Sequence, residues 1–310
     1  MTSLAERAAL VAHAQATIEM GSKSFRFASR LFDPVTRERA WLLYAWCRAC
    51  DDLADGQAHG HDAVIVSDPD RRFRYLTKQS ERALAGKPCG DPSFDALRVV
   101  AAESALPGRF VADHLAGFAR DCEGWRPETE EDLLSYCYQV AGAVGCMMAV
   151  IMGVSPDDDD TLDRACDLGM AFQLANIVRD LGEDYEVGRR YLPTQWLDEV
   201  GLSADNYMDA ANREPLVILA NRLCDRVRGY QASARVGAAR LPFRSRWAVL
   251  SAARIYGGIA EEVVRRAGSA WDRRVVVPKQ AKLAHVIAAA LESAGTPSGT
   301  DRSGLWTRPR

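Results

Sequence analysis

The feature that most constrains the fold of this chain is an uncharged stretch near its middle, residues 133–156. Such a stretch is long enough to cross a bilayer as one helix. It also contains Ser135, Tyr136, Tyr138 and Gln139, and the mean hydropathy of the whole chain is only −0.19. These observations favour a central helix that other helices bury on all sides. We therefore expect a bundle of amphipathic helices around one apolar helix.

Signals for the beginnings and ends of helices recur along the chain. A capping box at Ser3 begins a helix that Gly21 ends, and Asp33 begins a second helix that runs to about Asp55. Strand signals are nearly absent, because the one β-like run, 275–277, is too short to imply a sheet. Further helices are predicted at about 70–85, 93–104, 109–122, 129–153, 157–186, 213–239, 244–268 and 279–293.

No repeat and no Ser/Gly-rich linker divides the chain. We predict one all-α domain over residues 1–294, followed by a flexible C-terminal tail at 295–310. The segment between Gly56 and Pro69 lacks a sustained helical period, so it is predicted to form a loop beside the end of the second helix.

Charge and cysteine content exclude several classes of protein. The 42 acidic and 39 basic residues leave a net charge of −3, and no basic run is present, so a general nucleic-acid binder is excluded. Glu6 and Arg7 interrupt the first ten residues, where a secretory signal needs an apolar core. The eight cysteines then fit the reduced thiols of a cytoplasmic protein.

Polar and charged side chains share one face of the second helix. At about 100° per residue, a stripe about 60° wide contains Tyr44, Arg48, Asp51 and Asp55. Two carboxylates at i and i+4 destabilise a helix by roughly 0.2–0.5 kcal/mol, so a cation is expected to neutralise them. Taken alone, the stripe is equally typical of a solvated acidic face.

A second polar face is predicted within residues 157–186. Its members follow one another at spacings of three, four and four: Gln173, Asn176, Asp180 and Asp184. Apolar residues surround this face, so it meets a core or a cavity. Magnesium prefers oxygen ligands and takes one or two carboxylates together with substrate phosphates. Two such helices facing each other are expected to hold a diphosphate through bridging metal ions.

Several long motifs, in order along nearly the whole chain, resemble those of the squalene and phytoene synthase family, most closely its bacterial carotenoid branch. They are SKSF at 22–25, YAWCRACDDLAD at 44–55, YCYQVAGAVG at 136–145, FQLANIVRDLGED at 172–184, GRRYLP at 188–193, ARIYGGI at 253–259 and RVVVPK at 274–279. The resemblance implies an isoprenoid-synthase-like helical bundle around a central cavity. It implies head-to-head (1′-1) condensation of two geranylgeranyl diphosphates to phytoene, through a cyclopropyl diphosphate.

The resemblance also implies roles for individual residues. Magnesium or manganese would be bound at five positions, of which the four aspartates are also catalytic: Asp51, Asp55, Asn176, Asp180 and Asp184. Diphosphate contacts are implied at Ser22, Ser24, Tyr44, Arg48, Gln173, Arg179, Tyr191, Tyr256 and Arg274. Tyr136 resembles the catalytic tyrosine that steadies a cation or assists the final proton loss. Room for the isoprenoid chain is expected beside Ala141, Gly142, Ala143 and Gly145.

Departures from the reductive branch of the family decide the expected cofactors. Squalene synthase uses NADPH and a C-terminal anchor, whereas this chain has no Gly-rich βαβ fingerprint and no apolar C-terminal span. We therefore expect no NADPH. ATP activates some bacterial relatives without being consumed, although the chain contains no phosphate loop. Because substrate and product are lipids, peripheral contact with the inner face of the membrane, or with neighbouring carotenoid enzymes, is compatible with the sequence.

Other motifs are interpreted as structural. The acidic run 157–160 is expected to form the first turn of a helix, where carboxylates favour the helix dipole. Cys47 and Cys50 lack the second pair that a zinc site needs, so core thiols are favoured. His59 and His61 are expected in a solvated loop.

Three alternative functions stay open. One is a dehydrosqualene or squalene-type synthase that uses farnesyl diphosphate. Another is a terpene cyclase or a head-to-tail elongating enzyme, because the run from Asp51 to Asp55 also resembles the aspartate motif of those enzymes. The motifs YCYQVAGAVG and GRRYLP favour the head-to-head family instead. A non-catalytic lipid-binding helical protein is disfavoured, because it would not need five metal-binding positions together with Arg48.

Overall fold

The computed structural model describes residues 2–55, 69–296, 299 and 301–310. Within these residues the chain contains helices and no strand, which confirms the all-α prediction. The α-helices are α1 (Leu4–Gly21), α2 (Lys23–Ser29), α3 (Pro34–Asp55), α4 (Pro69–Leu84), α5 (Pro92–Ser104), α6 (Gly108–Cys122), α7 (Glu130–Cys137), α8 (Ala143–Ile151), α9 (Asp159–Glu186), α10 (Thr194–Glu199), α11 (Arg213–Ala238), α12 (Phe243–Arg266) and α13 (Lys279–Ala294).

The uncharged stretch lies at the centre of the bundle. It is divided into α7, a π-helical turn at Tyr138–Gly142 and α8, which pack against α6 and α9. The run Glu130–Ile151 is long and apolar enough to span a membrane, yet 61% of its most apolar window is buried inside the protein. This packing supports the interpretation of the stretch as a central helix.

Two glycines allow α8 and α9 to approach closely. A Cβ atom added to Gly145 would lie 2.3 Å from the carbonyl oxygen of Ala165, and one added to Gly169 would lie 2.2 Å from that of Ala141. Both contacts are shorter than any real Cβ tolerates. The small residues of this region are therefore required by helix packing as well as by any ligand.

The predicted helix starts are formed by the expected capping contacts. The Glu6 amide donates to Ser3 Oγ at 3.2 Å, and the Val35 amide donates to Asp33 Oδ1 at 3.0 Å. In the acidic run, Asp158 caps α9 by accepting from the Thr161 amide at 3.1 Å. The short helices α2 and α10 and the π-helical turn are additions that the sequence patterns did not predict.

The C-terminal segment, residues 301–310, lies against the bundle, unlike the flexible tail that its composition suggests. Arg302 donates to both carboxylate oxygens of Asp167 at 2.8 and 2.9 Å. Arg308 is 2% exposed, and its Nε lies 2.9 Å from Asp163. Buried carboxylates on α9 thus hold the segment. Residues 56–68, with the predicted loop and its two histidines, are outside the described residues.

Candidate active site

A cavity of about 330 Å³ lies between α2, α3, α8, α9, α11 and α12. Its lining on α9 extends from Thr161 to Asn176, about 22 Å along the helix axis at 1.5 Å per residue. Small apolar residues form much of the wall, including Ala141, Gly145 and Ala165. The cavity is therefore long, narrow and mostly apolar. Polar side chains line both of its ends: one near the C-terminal part of α3 and Asn176, the other at Thr161 and Arg164.

Seven of the predicted site residues line this cavity. They are Ser22, Tyr44, Arg48, Asp51, Gln173, Asn176 and Tyr256. The structure thus directs three members of the predicted α3 face and two of the predicted α9 face at one space. The side chains of Ser24 and Asp55 are outside the described part of the chain.

Two donor atoms on the α3 face have no acceptor in the part of the chain that the structure describes. Arg48 Nη1 lies 3.4 Å from Asp51 and 3.9 Å from Asp52, at the edge of ion-pair range. Tyr44 OH and Arg48 Nε are buried without a hydrogen-bond partner among the described residues. Burial raises the pKa of Tyr44, so its hydroxyl keeps its proton at neutral pH. Both groups are available to an oxygen-rich ligand.

Gly21, at the end of α1, leaves the space that the Tyr44 hydroxyl occupies. A Cβ atom at this position would lie 2.6 Å from Tyr44 OH and 3.4 Å from Arg48 Nε. On its other side, the Tyr44 ring stacks on Phe25 with the ring centroids 5.3 Å apart. A glycine and an aromatic ring therefore fix the direction of this hydroxyl.

On α9, arginines hold the predicted carboxylate. Asp180 accepts from Arg179 Nη2 at 2.5 Å, and its Oδ1 lies 3.0 Å from Arg274 Nη2. Arg274 also pairs with Glu183. Asp184 lies one turn further along α9 and is not part of the cavity lining. The structure therefore brings together two predicted diphosphate contacts, Arg179 and Arg274, and one predicted metal ligand, Asp180. They form ion pairs with one another beside the cavity.

The two predicted tyrosines of the central region lie outside the cavity lining. The Tyr136 ring is stacked between Trp125 and Tyr191, with centroids 5.2 Å away on each side. Its hydroxyl donates to Asp121 at 2.9 Å. Burial raises the pKa of Tyr136 well above its ordinary value. Sequence reasoning missed Asp121, because a single acid near the end of α6 gives no periodic signal.

A second missed residue is His114, which lines the cavity and is 2% exposed. Its Nδ1 lies 3.1 Å from the carbonyl oxygen of Gln139, and its ring packs edge-on against Trp46 and Phe118. Burial lowers the pKa of His114 to about 4. The ring is thus neutral at neutral pH, and Nδ1 donates to the carbonyl, which leaves a lone pair on Nε2. That atom has no partner within the described residues.

The small residues of the central stretch divide between two tasks. Ala141 and Gly145 line the cavity, whereas Gly142 and Ala143 do not. At Gly142 an added Cβ would lie 2.9 Å from Cys166 Sγ, so this glycine serves packing against α9. Of the four small residues expected to leave room for an isoprenoid chain, Ala141 and Gly145 therefore line the cavity.

The described residues contain no group of three or more His, Cys, Asp or Glu side chains placed to hold a metal ion. Helices α3 and α9 supply oxygen ligands, from Asp51 and Asn176, on the wall of one cavity. Beside them lie Tyr44 OH and Arg48 Nε, which have no partner among the described residues. Magnesium typically takes one or two protein carboxylates and completes its shell with phosphates and water. The arrangement fits a metal–diphosphate complex better than a metal ion alone.

Comparison with known proteins agrees with this geometry. Residues 18–281 match the family model described as squalene/phytoene synthase. A phytoene synthase of Pseudescherichia vulneris is 44% identical over 305 residues, which cover 97% of this chain and 98% of the relative. A 15-cis-phytoene synthase of Pantoea ananas is 43% identical, with the same coverage. A crystal structure of a dehydrosqualene synthase in complex with ligand is 28% identical, with a TM-score of 0.82 over 92% of this chain and 96% of that one.

Proposed function

The chain belongs to the squalene/phytoene synthase family, and from that premise we propose that it joins two molecules of geranylgeranyl diphosphate head to head to give phytoene. In this reaction a bond forms between the two C1 atoms through a cyclopropyl diphosphate, two C–O bonds break, and two diphosphates and two protons leave. Neither an oxidant nor a reductant is consumed, so NADPH is not required.

One observation carries the proposal: a long, mostly apolar cavity adjoins two buried donor atoms, Tyr44 OH and Arg48 Nε, that have no hydrogen-bond acceptor among the described residues. Ionisation of an allylic diphosphate needs hydrogen-bond donors at the leaving group and a dry wall around the cation. Tyr44 and Arg48 supply such donors, and a guanidinium matches phosphate oxygens in a two-pronged geometry. The apolar wall keeps water from the carbocation. The same cavity therefore supports both halves of the ionisation.

We assign the metal sites of the proposed reaction to the oxygen ligands of α3 and α9, namely Asp51, Asp55, Asn176, Asp180 and Asp184. An oxygen-only set suits magnesium or manganese. When bound, the ions neutralise the charge on the diphosphate and so favour its departure. Arg179 and Arg274 hold the Asp180 carboxylate beside the cavity.

Aromatic and tyrosyl groups are assigned to the later cationic steps. Phe172 and Tyr256 stack with their ring centroids 4.1 Å apart and both line the cavity, where ring faces attract a cation. Tyr136 is a hydrogen-bond donor rather than a base, because burial raises the pKa of its hydroxyl. Asp121 accepts that hydrogen bond, so the pair acts together in any proton transfer.

The length of the cavity favours geranylgeranyl over farnesyl substrate. At about 1.2 Å per bond of an extended chain, a main chain of sixteen carbons spans about 18 Å and one of twelve spans about 13 Å. The lining on α9 covers about 22 Å. A farnesyl chain would not reach the Thr161 end of this space, so it would make fewer contacts with the cavity wall than a geranylgeranyl chain.

The fold neighbour named a dehydrosqualene synthase favours farnesyl diphosphate as the second candidate substrate. Purified protein is incubated with each prenyl diphosphate and magnesium, and the products are identified by mass spectrometry. We expect phytoene with two diphosphates released per product, and no product in EDTA. Parallel reactions with added NADPH or added ATP are expected to give the same product as the reaction without them. Turnover without metal contradicts the mechanism, and turnover of farnesyl diphosphate alone contradicts the substrate.

We propose that the protein acts in the cytoplasm, in peripheral contact with the inner face of the membrane. An apolar outer face on α13 supports the membrane contact. Leu283, Ile287 and Leu291 are 55, 57 and 75% exposed at four-residue spacing, and Lys279 and Lys282 lie on the same helix. Lysines attract anionic headgroups.

Co-sedimentation with anionic vesicles tests this location. Ile287→Asp is expected to reduce the bound fraction. The matched control, Ile218→Asp, changes an equally exposed isoleucine on α11 and is expected to bind as the unmodified protein does. Equal binding of both variants contradicts the assignment to α13.

A further inference from the structure

A second cavity, of about 310 Å³, lies outside the candidate active site, between α1, α2 and α3. Three arginines line it: Arg26 on α2, Arg30 just after α2, and Arg37 on α3. Gln15, Ile18, Glu19 and Trp41 complete the lining. None of these residues lines the larger cavity.

The three guanidinium groups lack the partners that other arginines of this protein have. Among the described residues, no carboxylate lies within ion-pair range of any of them, and Arg37 Nε is buried without an acceptor. Two positions further along the same helix, Arg39 Nε donates to Glu103 at 3.0 Å. Glu19 is the one acid in the lining, and it is exposed and accepts from Gln15. The cavity therefore has an excess of positive charge.

Trp41 gives this cavity a fixed wall. Its Nε1 donates to the buried Ser29 Oγ at 3.0 Å, which sets the orientation of the ring. The Arg37 guanidinium carbon lies 5.4 Å from the centroid of the same ring, within the range of a cation–π contact. Arg37 is thus held in place by an aromatic face and not by a carboxylate, which leaves its N–H groups free for a ligand.

We propose that this second cavity binds a phosphate-bearing anion. Guanidinium groups match phosphate oxygens in a two-pronged geometry, and three of them in one cavity neutralise a multiply charged phosphate or diphosphate. Such an anion also supplies the acceptor that the buried Arg37 Nε lacks. The phosphate belongs either to a free anion or to a lipid headgroup, and the two sources share this chemistry.

Helix α2 connects the two cavities. Phe25 and Ala28 face the larger cavity, whereas Arg26 faces the second. An anion that binds Arg26 and Arg37 therefore ties α2 to α3. This contact also secures Phe25 against Tyr44. Backbone amides of α2 are expected to exchange hydrogen more slowly when the anion is bound.

Titration of the metal-free protein tests the site without dependence on catalysis. In EDTA and at low ionic strength, inorganic phosphate and diphosphate are titrated by calorimetry into the unmodified protein, Arg37→Gln and Arg30→Gln. We expect each variant to bind at least tenfold more weakly. Arg30 is exposed, so its substitution tests the site even if Arg37→Gln fails to fold. Arg48→Gln, which alters the larger cavity, is expected to retain the part of the binding that depends on Arg37 and Arg30.

Arg74→Gln is the matched control, because it removes one charge from an exposed position of α4 that lines neither cavity. Vesicles of phosphatidylcholine, with and without phosphatidylglycerol, distinguish the two sources. Binding of free anions that depends on Arg37 identifies a soluble ligand. Binding to phosphatidylglycerol vesicles alone, with the same dependence, identifies a headgroup. If Arg37→Gln and Arg30→Gln bind every probe as Arg74→Gln does, the site is refuted.

Discussion

Helix α9 carries two acidic rows with the same spacing and opposite surroundings. One row lies near the start of the helix and the other near its end, each at four-residue intervals: Asp159, Asp163 and Asp167, then Asn176, Asp180 and Asp184. Corresponding members of the two rows lie seventeen positions apart, which rotates the second row by about 100° around the helix relative to the first. The rows therefore face different parts of the protein.

The first row is neutralised from within the chain. Arg302, Arg308 and Arg310 of the C-terminal segment pair with it, and Asp167 is completely buried. The second row begins at the cavity wall with Asn176, and its Asp180 pairs with Arg179 and Arg274. Spacing alone does not distinguish a structural row from a functional one. The proposed source of compensating charge does distinguish them: arginines of the C-terminal segment compensate the first row, whereas metal and substrate contribute to the second in the proposed reaction.

The largest expected effect is on activity, at Asp180. Asp180→Asn is expected to lower kcat by about 10²–10³-fold, because it removes a carboxylate that we assign to the metal ions neutralising the leaving diphosphate. Because the substitution also removes the carboxylate partner of the mostly buried Arg179, kcat is compared per folded molecule. Glu183→Gln removes the same charge from the neighbouring, more exposed position. Steady-state kinetics should show the loss in Asp180→Asn alone, and equal activity of the two variants would contradict the assignment.

The first row should respond in the opposite way. Asp167→Asn leaves Arg302 without its buried partner, which is expected to cost about 3–5 kcal/mol of unfolding free energy in urea. The rate per folded molecule should stay within about twofold of the unmodified protein. The double variant Asp167→Leu with Arg302→Met is expected to recover most of the loss, because no unpaired charge stays buried. A loss below about 1 kcal/mol in the single variant would show that the row is dispensable.

Low pH is expected to change the unfolding free energy in opposite directions through His114 on the cavity wall and through Asp167 in the first row. The pKa of His114 is about 4 in the folded protein, below its ordinary value of 6.5, so the unfolded chain takes up this proton first. The unfolding free energy should therefore fall as the pH drops from 6.5 to 4, by about 3 kcal/mol in total. Burial raises the pKa of Asp167, so acid favours the folded state there.

Urea titrations at a series of pH values measure both trends. His114→Phe keeps an aromatic ring but cannot be protonated, so its unfolding free energy should lack the His114 contribution between pH 6.5 and 4. If the variant and the unmodified protein show the same slope in this range, His114 is not the group responsible.

The smallest expected effect concerns the α3 face. Gly21→Ala places a methyl group 2.6 Å from the present position of Tyr44 OH, so the hydroxyl must move. We expect KM for the prenyl diphosphate to rise about fivefold, equivalent to about 1 kcal/mol. Gly229→Ala is the matched control, because its added Cβ would meet Leu305 at an ordinary 3.4 Å. An unchanged KM in Gly21→Ala would mean that the Tyr44 hydroxyl does not need its present position.

Helices could be predicted from the sequence because their determinants are local. Ser3 and Asp33 cap the helices that begin beside them, and a helical period needs only neighbouring residues. Helix α2 was missed because only Ser22 separates it from α1, so the two helices share one helical pattern. The π-helical turn was missed because an extra residue in a turn leaves no compositional mark.

The candidate site could be predicted only as far as single helices determine it. Helical spacing brought Arg48, Asp51 and Asn176 to the same cavity, because α3 and α9 each direct one polar face. His114 and Asp121 lie on α6, and their importance depends on packing across the bundle. The ion pairs of Asp167 join positions 135 residues apart, which no local pattern encodes.

That separation also has a consequence for the order of events during synthesis. At about 5–20 residues per second, a ribosome needs roughly 7–27 s to add the 135 residues between Asp167 and Arg302. During this time the first acidic row of α9 has no arginine from the C-terminal segment, and its carboxylates must stay hydrated. The first half of α9 is therefore expected to reach its final packing late, when the rest of the bundle has already been made.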